Sequence, residues 1–323
     1  MDKKLLIAKP IEGELKKFTT YYRDSIHSGN KHIQEVIDYT IKSDGKRIRP
    51  ILLFLSAKAC GEINEITYNS AVTIELLHTA SLIHDDVVDE STLRRGRPSV
   101  NAVYDNKVAV LVGDFFLSTA LIKTVLTGNI DLISNISNLG RNLSEGELNQ
   151  LYIAKETIFN EEDYYEVIRK KTASLLSVSM KMGALSVGAP KEIVARFATL
   201  GEYLGICFQL RDDIFDYFGD DVGKPTGNDI REGKVTLPLI YALNNTSVEL
   251  REHYISYLTK HELDESIIAE LIEFAKINGG VDYTYQSMKG YSQKAYDLIM
   301  QMEDSESREA LLAAIDYIIE REY

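Results

Sequence analysis

The stretch AVTIELLHTASLIHDDVVD, residues 71–89, decides how the chain folds. Its apolar residues recur every three or four positions, which is the spacing of one face of an α-helix. They are Val72, Leu76, Ala80, Ile83 and Val87. The stretch ends in three carboxylates, Asp85, Asp86 and Asp89, so it predicts a core helix that carries an aspartate cluster at its C-terminal end.

Proline placement extends the helical pattern to the rest of the chain. Proline breaks helix interiors, and none occurs between Pro98 and Pro190. Residues 195–218 and 265–277 repeat the helical spacing, whereas no stretch sustains the alternation with period two that indicates a strand. No low-complexity linker divides the chain. The sequence therefore predicts a single all-α domain over residues 1–323, a bundle of ten or more helices.

Charge, cysteine content and apolar segments exclude some classes of function and predict where the protein is located. The formal net charge is −13, which argues against a general nucleic-acid binder because such a surface is basic. The two cysteines form no CxxC pair and predict no zinc site. The N-terminus lacks a secretory signal, and the most apolar stretch, residues 108–121, is interrupted by Asp114 and is too short to span a bilayer. We therefore expect a cytoplasmic protein with no integral membrane segment and no nucleic-acid partner.

A second aspartate cluster of the same design, residues 212–216, ends another apolar stretch. Carboxylates on one helical turn repel each other, and the helix dipole adds to the cost near a C-terminus. Mg²⁺ prefers carboxylate oxygen and completes its shell with phosphate oxygen and water. One such cluster would be better explained by a solvated loop or an N-cap, but two predict a shared site for several Mg²⁺ ions and a diphosphate. The predicted metal ligands are Asp85, Asp86, Asp89, Asp212, Asp213 and Asp216.

Basic residues cluster locally in this acidic chain. Arginine suits bidentate contact with phosphate, and lysine acts as a point charge. Arg94 and Arg95 are the strongest anion-binding candidates because they closely follow Asp89. A solvated surface would explain the other basic groups as well, if each is taken alone: Lys46, Arg47, Arg49, Lys170, Lys171, Lys224 and Lys234. Two polar residues before the clusters, His78 and Gln209, lie on the carboxylate faces of their helices and could contact a bound ligand.

In their order and spacing, these motifs resemble the trans (head-to-tail) polyprenyl diphosphate synthases over about residues 30–320. The chain looks most like the medium- and long-chain bacterial members, such as heptaprenyl, hexaprenyl and octaprenyl synthases. The matching segments are Gly45–Pro50, His78–Asp89, Arg94–Gly96, Gly113-Asp114, Glu145–Glu147, Lys171-Thr172, Gln209–Asp216, Gly223–Pro225 and Gly233–Pro238.

The resemblance implies an isoprenoid synthase fold around a central cavity and a Mg²⁺-dependent prenyltransferase, with three ions expected once substrate is bound. The residues implied for isopentenyl diphosphate are Lys46, Arg49, His78 and Arg95, with Arg47 close by. The residues implied for the allylic diphosphate side are Arg94, Lys171, Thr172, Gln209, Lys224 and Lys234. The catalytic residues that it implies are Asp85, Asp89, Arg94, Lys171 and Asp212.

The implied reaction begins when the allylic diphosphate leaves and a delocalised carbocation remains. The double bond of isopentenyl diphosphate attacks this cation, and loss of a proton gives a product one isoprene unit longer. Ala80 and Ser81, which precede Asp85 by about one turn, are small. We therefore expect the growing chain to pass Ala80 toward Leu77 and Thr73. Four residues remain alternatives for the floor of the cavity: Phe115, Phe116, Leu151 and Tyr152.

Other functions are compatible with parts of the pattern. A terpene cyclase also ionises a diphosphate at an aspartate-rich helix, but it usually lacks a second such cluster. A non-catalytic subunit normally loses the clusters, whereas both are intact here. Within the family, a farnesyl or geranylgeranyl diphosphate synthase and the catalytic subunit of a heteromeric heptaprenyl diphosphate synthase stay open. We expect a homodimer, with a small partner subunit as the alternative.

Overall fold

The computed structural model describes residues 3–42, 47–156, 159–218, 226–260 and 263–320. Two predicted substrate residues, Lys46 and Lys224, lie outside the described residues. Within those ranges the chain forms seventeen α-helices and one short two-stranded hairpin. The prediction of an all-α fold with ten or more helices is therefore confirmed.

The α-helices are numbered in chain order. The first nine are α1 Lys3–Ala8, α2 Glu12–Ser25, α3 Lys31–Ile41, α4 Ile48–Cys60, α5 Glu65–Val88, α6 Val100–Tyr104, α7 Asn106–Val125, α8 Ile130–Glu156 and α9 Glu161–Ile168. The others are α10 Ser174–Ser186, α11 Lys191–Phe215, α12 Asn228–Arg231, α13 Leu237–Asn244, α14 Val248–Lys260, α15 Glu265–Ile277, α16 Gly280–Ile299 and α17 Glu306–Glu320. A 3₁₀ turn, Lys9–Ile11, joins α1 to α2, and a π-helix, Arg169–Ala173, joins α9 to α10.

The hairpin after α5 pairs β1, Leu93–Arg94, with β2, Arg97–Pro98, in antiparallel register. Its two turn residues, Arg95 and Gly96, both have positive φ, 53° and 74°, which is what a type I′ turn requires. Sequence periodicity does not reveal this hairpin, because two-residue strands are too short to alternate. An arginine also stands where Asn, Asp or Gly is usual in such a turn.

Contacts between Cα atoms group the chain into two compact units. The first unit comprises Met1–Gly140, Leu175–Gly201 and Glu303–Ala313. The second unit comprises Arg141–Ser174, Glu202–Met302 and Ala314–Tyr323. Each unit draws on three separate segments, so neither is a continuous piece of sequence. The single domain over residues 1–323 stays a prediction.

Helix α5 is the central core element of the first unit, and α7 packs along it. It begins with a capping box, in which Asn64 Oδ1 accepts from the Thr67 N–H and Thr67 Oγ1 accepts from the Asn64 N–H. Gly113 lets α7 approach, because a Cβ there would lie 2.2 Å from His84 Nε2. The same nitrogen lies 3.2 Å from Val110 O. This packing fixes the C-terminal end of α5 and the aspartate cluster that it carries.

Helix α13 forms the core of the second unit, where it packs against α15 and α16. Its residues Leu237, Leu239 and Leu243 are fully buried. A glycine permits the close approach of α16, because a Cβ on Gly280 would lie 1.9 Å from Pro238 O. Any larger residue at that position would therefore push the first turn of α16 away from α13.

Two glycines allow the π-helix of the second unit to pack closely against its neighbours. A Cβ on Gly205 of α11 would lie 2.4 Å from Ala173 Cα, and one on Gly146 of α8 would lie 2.9 Å from Lys170 Cβ. Single π-helical turns are rare and frequently occur at functional sites. Gly146 and Gly205 therefore set the position of the turn that carries the predicted lysine–threonine pair.

Two described helices, α7 and α11, are long and apolar enough to cross a membrane by length and composition alone. Core helices of soluble proteins pass the same test, and half of the apolar window of α11 is buried. In α7 the buried share is one third. The apolar stretch at residues 108–121 lies within α7, which extends beyond it at both ends to 20 residues, so the absence of an integral membrane segment stays a prediction.

Gly205→Ala is expected to lower the free energy of unfolding by about 1–3 kcal/mol, the usual cost of forcing extra atoms into a packed core. The gain in helix propensity, about 1 kcal/mol, is smaller than that cost. Gly290→Ala in α16 is the matched control, because Gly290 is exposed and an added Cβ meets no atom within 4 Å. It should raise stability by about 0.5–1 kcal/mol. Urea unfolding measures both, and equal stabilisation of the two variants would contradict the close approach.

Candidate active site

The first aspartate cluster lies where α5 ends. Asp85 stands in the last turn and Asp89 follows the helix as its C-cap, with the Asp89 N–H donating to Asp85 O at 2.8 Å. The two residues are one turn apart and partly exposed. The helix dipole disfavours negative charge at this end, so the two carboxylates favour a cation beside them.

Asp86 differs from Asp85 and Asp89 because it is buried and paired with an arginine. Arg94 Nε donates to Asp86 Oδ1 at 2.8 Å, and Arg94 Nη2 donates to the same oxygen. Burial raises the pKa of Asp86, while the hydrogen bond and the charge of Arg94 lower it. A predicted metal residue thus anchors the arginine that is predicted to contact the allylic diphosphate.

A pocket in the first unit brings together most of the residues predicted to bind isopentenyl diphosphate. Arg47, His78 and Arg95 line it, together with Arg94 and Asp86. Arg47 and Arg95 both have a left-handed backbone, with φ of 48° and 53°. This conformation is uncommon for residues other than glycine, and such strain concentrates at functional sites. The pocket therefore joins cationic side chains to a backbone that holds them in unusual positions.

His78 is buried in this pocket, and its pKa lies well below the ordinary value of 6.5. The main cause is burial, followed by the charges of Arg49, Arg95 and Arg94. A neutral imidazole donates one hydrogen bond and accepts another. His78 is therefore equipped to meet a diphosphate as a hydrogen-bond donor rather than as a cation. Arg49 is not among the residues that line the pocket, but its charge reaches His78.

Sequence reasoning missed an acidic residue in this basic pocket. Glu75 lines it from α5, about one turn before His78. The Oε2 atom of Glu75 is buried and has no hydrogen-bond partner within the described part of the chain. Burial raises the pKa of Glu75, while the charges of Arg49, Arg47 and Arg95 lower it. The spacing from His78 places Glu75 on the same face, but a search for basic residues passes over it.

Asp213 of the second cluster is fully buried and held by two side chains. Tyr164 OH donates to Asp213 Oδ2, and Gln209 Nε2 donates to Asp213 Oδ1 at 2.8 Å. Thr172 Oγ1 donates to Gln209 Oε1, also at 2.8 Å. This chain of hydrogen bonds joins two of the residues predicted for the allylic side, Thr172 and Gln209, to a predicted metal ligand. It also includes Tyr164, which no sequence motif indicates.

Asp216 and Asp229 add two more carboxylates in the second unit. The oxygens of Asp216 accept from the backbone N–H groups of Asn228, at 2.9 Å, and Asp229, at 3.1 Å, so this predicted metal residue also holds the start of α12. Asp229 lines the same pocket as Asp213. Burial raises the pKa of Asp229 well above its ordinary value, and the charges of Asp213 and Asp216 raise it further. Sequence reasoning missed Asp229 because it stands apart from both clusters.

Two predicted lysines, Lys171 and Lys234, line the pocket of the second unit. Lys171 forms an ion pair with Glu147, and Lys234 forms one with Glu232 at 2.7 Å. Lys170 binds other carboxylates and is not among the lining residues. Lys171 and Lys234 therefore each have a carboxylate partner that an anionic substrate has to displace or share.

The carboxylates of the chain fit a divalent cation. Among the residues that the structure describes, no three His, Cys, Asp or Glu side chains form a ready-made metal cage. Mg²⁺ does not need one, because it commonly uses one or two carboxylates with phosphate oxygens and water. Burial and mutual repulsion raise the pKa values of Asp213 and Asp229, and a cation would relieve that repulsion. Asp85 and Asp89 offer a further pair at the end of α5.

The residues predicted to control chain length form a row on one side of α5. Ala80 is 2% exposed, Leu77 is 4% exposed and Thr73 is fully buried, whereas Ser81 is partly exposed. The three buried residues are spaced by three and four positions, so they lie on one helical face. Among the alternative floor residues, the buried one is Phe116, and the exposed ones are Leu151 and Tyr152.

Comparison with known proteins gives matches along nearly the whole chain. Residues 30–275 match the family model described as polyprenyl synthetase. The chain is 35% identical over 320 residues to the all-trans-nonaprenyl-diphosphate synthase (geranyl-diphosphate specific) of Rhodobacter capsulatus, across 97% of this chain and 96% of that protein. It is 34% identical over 289 residues to heptaprenyl diphosphate synthase component 2 of Geobacillus stearothermophilus, across 88% of each chain.

The chain is also similar to solved structures of prenyl diphosphate synthases. A geranylgeranyl pyrophosphate synthase from Bacteroides thetaiotaomicron is 42% identical, with a TM-score of 0.87 across 99% of this chain and 100% of that one. A polyprenyl synthase from Caulobacter crescentus, complexed with calcium and isoprenyl diphosphate, is 30% identical, with a TM-score of 0.92 across 99% and 98%. These likenesses confirm the predicted isoprenoid synthase fold.

Asp229→Asn is expected to stabilise the metal-free protein, and more strongly as the pH rises. Because the pKa of Asp229 is higher in the folded chain than its ordinary value of 3.8, the folded state binds more protons than the unfolded state above that value. The unfolding free energy therefore falls as the pH rises from about 4 toward neutrality. Asn cannot ionise, so the variant does not suffer this fall in the unfolding free energy. We expect the difference from the wild type to reach roughly 1 kcal/mol or more at about pH 8.

Thermal unfolding in EDTA at about pH 5 and about pH 8 measures the effect of Asp229→Asn. Glu252→Gln, at an exposed position of α14 in the same unit, is the control and should change little at either pH. A gain that is equal at both pH values would contradict a buried, titrating carboxylate at Asp229.

Proposed function

Because this chain belongs to the polyprenyl synthetase family, we propose that it is a trans-prenyltransferase that joins isopentenyl diphosphate to an allylic diphosphate, such as farnesyl diphosphate. Its product is a medium- or long-chain all-trans polyprenyl diphosphate. One observation carries the proposal: each compact unit has a pocket in which cationic side chains stand beside aspartates of a predicted cluster.

The pocket of the first unit is the proposed site for the diphosphate of isopentenyl diphosphate. Arg47, Arg49 and Arg95 supply positive charge, and Lys46 adds to it by its place in the motif. Neutral His78 supplies a hydrogen-bond donor. Guanidinium groups bind phosphate oxygens bidentately, so a few arginines are enough to orient both phosphates. The left-handed backbone at Arg47 and Arg95 supports a site that is arranged before substrate binds.

The aspartates are the proposed holders of Mg²⁺, with three ions expected once substrate is bound. When bound, Mg²⁺ supplies Lewis-acid stabilisation of the diphosphate leaving group. The buried, mutually repelling charges of Asp213 and Asp229 support this assignment. The residues proposed to hold the ions are Asp85, Asp86, Asp89, Asp212, Asp213 and Asp216. The cationic residues proposed to bind the same allylic diphosphate are Arg94, Lys171, Lys224 and Lys234.

The reaction follows from this arrangement. The allylic C–O bond breaks, its electron pair leaves with the diphosphate, and a delocalised carbocation remains. The double bond of isopentenyl diphosphate attacks the cation, and loss of a proton from the adjacent carbon restores a double bond. Thr172 and Gln209, oriented by their hydrogen bonds, present dipoles that stabilise positive charge without trapping it. Much of the rate gain comes from holding the two substrates together and keeping water out.

A short-chain product is the second candidate function. The 42% identity to the geranylgeranyl pyrophosphate synthase structure favours it, whereas small Ala80 and Ser81 favour a longer product. A third reading is the catalytic subunit of a heteromeric heptaprenyl diphosphate synthase. The likeness to a protein named component 2 supports that reading.

The decisive experiment incubates the purified protein alone with farnesyl diphosphate, isopentenyl diphosphate and Mg²⁺, and sizes the products by mass spectrometry. We expect chain elongation that stops when EDTA is added or when Asp85 is replaced by Ala. Cyclised hydrocarbon made from the allylic substrate alone would support a terpene cyclase instead. Turnover only after a second, small subunit is added would support the heteromeric enzyme.

Ala80→Phe is expected to shorten the product by at least one isoprene unit, because an aromatic ring in the buried row of α5 blocks the path toward Leu77 and Thr73. Ala80→Ser is the matched control at the same position, since it adds a single atom and should leave the product unchanged. The product distribution is read by mass spectrometry, with thermal unfolding as a check on folding. An unchanged distribution for the Phe variant would reject the path.

We propose further that the chain works as a cytoplasmic homodimer through α7. This helix exposes five large apolar side chains: Val110, Leu111, Leu121, Ile122 and Val125. Exposed apolar side chains that are concentrated on one helix often mark an interaction surface. In a two-fold symmetric dimer, α7 of one protomer would pack against α7 of the other, because both protomers use the same surface. A small partner subunit on the same face is the alternative occupant.

Leu111→Glu is expected to convert the dimer to a monomer, because a buried, unpaired carboxylate is costly at an apolar interface. Leu111 is 67% exposed, so the fold of the single chain should lose little stability. Ile277→Glu is the matched control, since Ile277 is 74% exposed on α15 of the second unit. Sedimentation velocity at micromolar concentration separates the two variants. A Leu111→Glu dimer as stable as the wild type would rule out this face.

A further inference from the structure

Glu75 places a carboxylate in a pocket that four arginines line, and Asp86, which also lines this pocket, is paired with one of them, Arg94. Glu75 stands on α5 three residues before His78, so the two side chains share one helical face. It lines the pocket of the first unit together with Arg47 and Arg95. A carboxylate at this place repels the diphosphate that the pocket is proposed to bind. Direct contact with substrate therefore does not account for it.

Guanidinium groups provide the charges around Glu75. Burial raises the pKa of the Glu75 carboxyl above its ordinary value, and the charges of Arg49, Arg47 and Arg95, in that order, oppose this rise. Its Oε2 atom is buried without a hydrogen-bond partner in the described ranges. Such an acceptor is costly unless a donor can reach it. Each guanidinium carries five N–H donors, and the arginines that line the pocket with Glu75 are the natural donors for this oxygen.

We infer that Glu75 is a positioning residue, whose carboxylate holds the guanidinium groups of Arg47 and Arg95, which line the same pocket, in the arrangement that binds the diphosphate of isopentenyl diphosphate. The inference rests on the proposed function, because it needs a pocket that binds this anion. Charge-assisted hydrogen bonds to one carboxylate leave the other donors of each guanidinium directed elsewhere. Without Glu75, these like charges repel each other and their side chains spread.

The two possible roles of Glu75 predict opposite changes in the affinity for the anion when the charge of Glu75 is removed. If Glu75 only weakens the positive potential of the pocket, its neutralisation strengthens anion binding because a repulsion disappears. If it holds the arginines, its neutralisation weakens anion binding because their preorganisation is lost. The direction of the change therefore decides between the two roles.

Two substitutions separate the charge of Glu75 from its reach. Glu75→Gln keeps the size and removes the charge, whereas Glu75→Asp keeps the charge and shortens the reach. In calorimetry on the full chain, we expect each to raise the Kd for isopentenyl diphosphate about tenfold or more, and to change the Kd for farnesyl diphosphate less than about twofold. In kinetics, KM for isopentenyl diphosphate should rise by a similar factor while kcat stays within about threefold.

The matched control is Glu65→Gln, which removes an exposed carboxylate from the same helix and should leave both constants unchanged. Tighter or unchanged binding of isopentenyl diphosphate to Glu75→Gln overturns the inference. Wild-type binding by Glu75→Asp also overturns it, because charge without reach would then be enough. If the Gln variant does not fold, the Asp variant decides by the same measurements.

Inorganic diphosphate is the second probe, and it separates this inference from the proposed function. If the wild-type protein binds inorganic diphosphate but elongates no prenyl chain, the proposed function fails. Weaker binding of inorganic diphosphate to Glu75→Gln then still supports the positioning role. Unchanged or tighter binding of this probe to Glu75→Gln overturns the role, whatever the enzyme makes.

Discussion

Carboxylates crowded at the ends of two long helices are the constraint on which the rest of the site depends. Like charges one turn apart repel each other, and a helix C-terminus adds to that repulsion. In the first unit, Arg94 neutralises Asp86 and leaves Asp85 and Asp89 partly exposed at the helix end. In the second unit, neutral side chains hold buried Asp213 by hydrogen bonds. A divalent cation would compensate the remaining negative charge and could bind a diphosphate at its other coordination positions.

The cationic groups are held by unusual backbone. Arg47 and Arg95 have left-handed φ, and Lys171 lies in a π-helical turn that Gly146 and Gly205 allow to pack closely. Each of these conformations costs free energy, and the surrounding packing has to supply it. Such positions suit a polyprenyl synthase, because a backbone that is already arranged places cationic groups where two diphosphates have to bind.

Much of the site could be predicted because its residues occur in runs. Arg94 and Arg95 follow an aspartate cluster directly, and periodicity places Gln209 on the carboxylate face of its helix. Glu75 and Tyr164 were beyond such reasoning, since each is a single residue without a motif. Their contacts join segments far apart in the chain, as with the hydrogen bond from Tyr164, in α9, to a carboxylate of α11. No local pattern records a contact of that kind.

The helical fold, the two aspartate clusters and the family to which the chain belongs can all be predicted from the amino-acid sequence. These follow from local periodicity and from short motifs, which survive without knowledge of neighbours. Only the tertiary structure decided which partners those residues have: Asp86 binds Arg94, Asp216 holds the start of α12, and Glu75 faces a basic pocket. The physical reason is that burial and charge pairing depend on which helices pack together. Two carboxylates with the same motif can therefore take different roles.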